Sequence, residues 1–67
     1  MTENNVGESA GKIWHLLAER DSLSIRKIGE MTSYKESHIF LALGWLAREN
    51  KIEFEDKHNM LYVALKN

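Results

Sequence analysis

Three helices followed by a β-hairpin, an α+β class that is mainly helical, is the fold this sequence predicts. Three observations predict it. Apolar residues recur at spacings of three and four from Val6 to Leu17, at Ile25, Ile28 and Met31, and from Ile39 to Leu46, the repeat of helices that each bury one stripe. Only a short polar stretch separates the second of these runs from the third. After Asn50 the period changes to strict alternation on either side of Asp56-Lys57-His58-Asn59, the mark of a hairpin with one buried face. Two helices joined by so short a turn make a helix-turn-helix unit. The hairpin behind it completes a winged helix-turn-helix arrangement.

The first helix is expected from about Asn5 to Arg20, with Val6, Ala10, Ile13, Trp14 and Leu17 on its buried stripe and Asn4 or Asn5 as N-cap. Gly7 and Gly11 lie four apart inside it. Each costs about 1 kcal/mol against alanine, and both face one side, where another helix can come close. That helix belongs either to the same domain or to a second chain. Asp21 and Ser22 end the helix, and Leu23 to Ile25 is a candidate short strand. Ser24 then caps a second helix to Met31, whose length Gly29 and Thr32 limit. Ser33 and Glu36 have the spacing of a capping box, in which the hydroxyl and the carboxylate each satisfy the other's backbone N–H. The third helix runs from there to Glu49, with Asn50 as a left-handed stop. In the hairpin, Ile52, Phe54, Leu61, Val63 and Leu65 form the inward set.

At 67 residues the chain is read as one domain, residues 1–67, with 1–4 disordered. A chain of this size buries only about 60% of its unfolded surface, so small scaffolds lean on disulfides, metals, tight packing or a partner. With no cysteine, disulfides and thiolate metal sites are excluded. His15, His38 and His58 have no second ligand at metal spacing, and no nucleophile elbow, paired-carboxylate cleft or phosphate loop is present. The expectation is a protein that is not an enzyme, with no cofactor, no metal and no small-molecule substrate. The polar start and the absence of a long apolar run argue against a targeting segment or a membrane span, leaving the cytoplasm as the expected address.

The formal net charge is −1, whereas free-standing DNA-binding domains are usually basic. Residues 23–50 carry four basic and three acidic side chains, the most basic stretch of the chain and only by one charge. In a DNA-reading helix-turn-helix the helix after the turn enters the major groove, so its outward face needs donors and cations. Here Ile39, Ala42, Leu43 and Leu46 form the inward stripe, with Ala47 at its margin. The opposite side carries Ser37, Leu41, Gly44, Trp45 and Arg48, with Phe40 on one flank and His38 on the other. A helix apolar on nearly all sides is buried on nearly all sides. A second chain is the simplest cover, so the expected interface is Phe40, Leu41, Gly44, Trp45 and Arg48, and the expected partner a second copy in a two-fold homodimer, or another protein. The alternative is duplex DNA held by Arg26, Lys27, Ser33, Tyr34, Lys35, Ser37 and Lys57, with His58 and Asn59 at the wing tip. Glu53, Glu55 and Asp56 flank that tip and oppose a phosphate contact there.

Ala10-Gly11-Lys12-Ile13-Trp14-His15 in the first helix, and Ala42-Leu43-Gly44-Trp45-Leu46-Ala47-Arg48-Glu49 followed by Lys51-Ile52, resemble a family of small winged helix-turn-helix domains of unknown function found in Bacteroidetes. The resemblance covers nearly the whole chain. It implies the winged-helix fold and makes Trp14, Gly44 and Trp45 parts of a family pattern. It leaves the function open.

Overall fold

The computed structural model describes residues 4–66, with side chains described from residue 6. In chain order these form α1 (Asn4–Glu19), β1 (Leu23–Ser24), α2 (Ile25–Thr32), α3 (Glu36–Arg48), β2 (Ile52–Lys57) and β3 (Met60–Leu65). The α+β winged-helix expectation holds. The expected disorder of residues 1–4 concerns residues outside those described, except that Asn4 begins α1. The N-cap expected of Asn4 or Asn5 also lies outside the described side chains.

One core joins the helices to the sheet. Ile13 and Leu17 of α1, Ile28 of α2, Ile39 and Leu43 of α3 and Val63 of β3 are its largest fully buried side chains. Those on the helices are the inward positions of the helical repeat, Val63 is one of the alternating strand, and the inward stripe expected of α3 is buried throughout. The strands run antiparallel in the order β1-β3-β2. Leu23 pairs with Val63 and Ser24 with Tyr62, which ties the segment after α1 to the wing. Ser24 also caps α2, its Oγ accepting the Lys27 N–H at 3.0 Å.

The turn between α2 and α3 departs from the expected capping box. Ser33 adopts φ 64°, ψ 15° and closes α2, its N–H donating to the Gly29 carbonyl. Lys35 takes the N-cap position of α3 and makes no side-chain cap bond. Glu36 is therefore the first helical residue, and a capping box needs its acid two residues deeper. The Thr32 hydroxyl, which donates to the Ile28 carbonyl, accepts the Tyr34 N–H at 3.1 Å. That bond satisfies the turn which Ser33 was expected to cap.

Two other ends follow the backbone chemistry of left-handed residues. Asn50, φ 60°, stops α3 as expected. The Asn50 N–H reaches the Ala47 carbonyl and the Lys51 N–H the Leu46 carbonyl, the bond pair of a Schellman ending. The hairpin turn is shorter than the expected four residues. His58 and Asn59 both have positive φ, as a two-residue type I′ turn requires, so the strands pair out to Lys57 and Met60.

The hairpin's inward face is only partly buried. Ile52 and Val63 are buried, while Phe54 and Leu61, on the same face, remain well exposed. Phe54 lies on the edge strand β2 beside buried Val63 of the central strand, and Leu61 lies toward the turn, on the wall of a groove that opens between the wing and the helices.

Candidate interaction surface

The surface of interest is built by helical arithmetic. Burying Ile39, Ala42, Leu43 and Leu46 turns positions 37, 40, 41, 44, 45 and 48 outward, since one helix face recurs at three and four residues. In most helices such positions are polar. Here Phe40 is 44%, Leu41 61% and Trp45 50% exposed. Together with Gly44, Arg48 and Val6 of α1 they line one shallow groove of about 440 Å³. All five residues expected at the interface are thus brought together. Val6 is an addition: the sequence places it on the core stripe of α1, but it is only half-buried and forms the groove's rim.

Trp45 is shared between two surfaces. Its Cζ2 lies 3.9 Å from where a Cβ on Gly7 would stand, so Gly7 accommodates the indole of the same chain. On that side Trp45 joins Gly11, Trp14, His15 and Lys51 in a second groove. Among the described residues nothing lies within 4 Å of a Cβ built on Gly11 or on Gly44. The close approach expected at the α1 glycines is therefore made at Gly7 by Trp45 and is not made at Gly11.

A third groove, about 550 Å³, opens between the helix-turn-helix and the wing. Ile25, Gly29, Tyr34, Phe40, Met60 and Leu61 are among its walls. Phe40 lines both this groove and the α3 groove, so apolar surface continues from Trp45 across Phe40 to Met60 and Leu61. Met60 and Leu61 escape a reading of the sequence: one carries no periodic signal, and the other sits in register with true core residues.

The residues expected to meet DNA are less well assembled. Arg26 and Lys27 both approach Glu30, at 3.6 and 3.7 Å, and Lys57 approaches Glu55 at 3.6 Å while lying over the Tyr62 ring. Such exposed pairs contribute little stability, but each sets a carboxylate beside the cation that a phosphate would need. Tyr34 is half-buried, between the His38 ring at 4.8 Å and the Lys12 ammonium at 5.9 Å. Ser33, Lys35 and Ser37 are exposed around the start of α3. Along the outward face itself the first cation is Arg48, in the last turn.

Among the described residues no group of three or more His, Asp or Glu side chains could hold a metal ion, and no helix is long and apolar enough to cross a membrane.

A model of the winged helix-turn-helix domain DUF2582 matches residues 1–65. The chain belongs to the DUF2582 family. The uncharacterized protein MJ1608 of the archaeon Methanocaldococcus jannaschii is 47% identical over 49 residues, which are 70% of each chain. Protein BT2368 from Bacteroides thetaiotaomicron, solved by NMR, is 38% identical and superimposes with a TM-score of 0.84 over 97% of this chain and 79% of its own. A Bacteroides neighbour agrees with the resemblance noted from the α1 and α3 motifs, and the archaeal relative carries the likeness beyond Bacteroidetes. DUF2582 membership establishes the winged-helix fold, which typically carries no catalysis and which binds DNA in some proteins and other proteins in others.

Proposed function

We propose that this DUF2582 domain is a cytoplasmic, non-enzymatic interaction module that forms a homodimer through the outward face of α3. The observation that carries the reading is the exposure of Phe40, Leu41 and Trp45 on the helix that a DNA-binding winged helix would insert into the major groove. Isolated exposed apolar residues are ordinary, whereas a contiguous patch marks an interaction site. Aromatic residues and arginine are enriched at the centres of such sites, which matches Phe40, Trp45 and Arg48. A net charge of −1 and three carboxylates along β2 oppose a phosphate backbone.

The test is molecular mass as a function of concentration, by sedimentation equilibrium, for wild type and Leu41→Glu. The wild type is expected to reach dimer mass in the micromolar range and the variant to stay monomeric. A wild type that remains monomeric at high micromolar concentration sinks the reading.

Duplex DNA is the second reading. What favours it is the head of α3, where Lys35 and Ser37 are exposed beside Tyr34 at a helix start that no side chain caps.

A further inference from the structure

The outward face of α3 carries a projection and a notch one turn apart. Leu41 is the most exposed of the large apolar side chains among the described residues. Gly44, three residues on, has no heavy atom of the described residues, its own helix backbone aside, within 4 Å of the place a Cβ would occupy. A glycine inside a helix costs about 1 kcal/mol against alanine, and nothing among the described residues fills the space that Gly44 leaves. Ser37, Leu41, Gly44 and Arg48 together step by four, three and four, the spacing of a coiled-coil seam. Phe40 and Trp45 stand on its two sides.

We infer that the partner on this face is a second copy of the chain, its α3 antiparallel, with each Leu41 seated in the partner's Gly44 notch. The inference rests on the homodimer reading and adds its geometry. A two-fold axis that relates position 41 to position 44 makes both contacts at once, because the contact of i with j also places j on i. A parallel pair would set Leu41 on Leu41 and leave two glycine voids facing each other. The same axis sets Arg48 opposite the partner's Ser37, one residue from Glu36, where a parallel pair would oppose Arg48 to Arg48. The extent of the surface is adequate. A standard interface takes about 800 Å² from each partner, about a sixth of this chain's 4832 Å². The apolar surface from Val6 and Trp45 through Phe40 to Met60 and Leu61 offers a centre for such an area. In this arrangement the dimer covers the helix that would read a DNA groove, so the two modes of binding exclude each other.

Exchanging projection and notch tests the geometry. Sedimentation equilibrium is run on the full chain as wild type, Leu41→Ala, Gly44→Leu and the double variant carrying both. Each single variant is expected to weaken the dimer by about tenfold or more, through a lost contact in one case and a clash in the other. The double variant carries the projection at 44 and the notch at 41, and the two-fold relation brings them together again, so its dimer is expected to recover. Both positions are exposed, and thermal melts establish that each variant is folded. A dimeric wild type whose Gly44→Leu variant associates equally well, or whose double variant is no better than the singles, overturns this register and leaves the homodimer standing. A monomeric wild type overturns both.

Discussion

Ser9 of α1 and His38 of α3 are joined by a hydrogen bond between the serine hydroxyl and the histidine Nε2. Ser9 is only 4% exposed. The bond spans 29 residues of sequence and ties α3 to α1 at the edge of their apolar contact. His38 in turn leans on Tyr34, which connects the start of α3 to the same contact. A polar bond thus links the helix that carries the exposed apolar face to α1.

Ser9→Ala removes that bond and leaves the imidazole to half-buried surroundings. A hydrogen bond of this kind contributes about 1 kcal/mol, and in a domain of this size each kcal/mol shifts the melting temperature by about 4–8 °C. A thermal melt of Ser9→Ala is expected to fall by that amount. An unchanged melt means that water replaces the serine without loss, and that the bond does not hold the helices.

Gly11→Ala separates two uses of α1. The added methyl meets nothing within 4 Å among the described residues, so the substitution is expected to gain about 1 kcal/mol of helix propensity and raise the melting temperature. Dimer mass is expected to stay as in wild type, since the proposed contact is on α3. A variant that loses its dimer would place the second chain on α1 and free the outward face of α3.

Ser33 holds a left-handed conformation that costs an ordinary residue about 1–2 kcal/mol and glycine almost nothing. Its backbone N–H, not its side chain, makes the closing bond to Gly29. Ser33→Gly is therefore expected to stabilise the domain by about 1 kcal/mol, offset in part by the added freedom of the unfolded chain. Chemical denaturation measures it. A loss of stability would show that the hydroxyl caps α3 after all.

The DNA reading is decided by an amide chemical-shift titration with a mixed-sequence duplex at low salt. The apolar α3 face and the paired Arg26, Lys27 and Lys57 lead to no shifts at Ser33 to Ser37 or at Lys57 to Asn59. Shifts clustered in both places, reversed by salt and lost in Lys35→Ala, would put α3 in a groove.

Much of this surface is legible without coordinates. Once Ile39, Ala42, Leu43 and Leu46 are assigned inward by their spacing, Phe40, Leu41, Gly44 and Trp45 have nowhere to point but out. What is not legible is how much of the wing's inward face is covered. Phe54 and Leu61 alternate in step with Ile52 and Val63, yet they remain exposed, Phe54 on the edge strand and Leu61 on the wall of an open groove, and no periodicity encodes which strand lies at the edge. The capping box fails for a similar reason. Ser33 and Glu36 have the right spacing, but the end of α2 claims Ser33 first.

The sequence by itself determined the order of the elements, their periods and the two faces of α3, because these follow from residue spacing and from local backbone chemistry such as the Asn50 stop. Only the tertiary structure decided that Gly7 receives Trp45 while Gly11 and Gly44 stay open, and that Val6, Met60 and Leu61 join the surface around Phe40. Those facts depend on how α1, α3 and the wing lie against one another. Packing at long range sets that arrangement, and residues adjacent in the chain do not encode it.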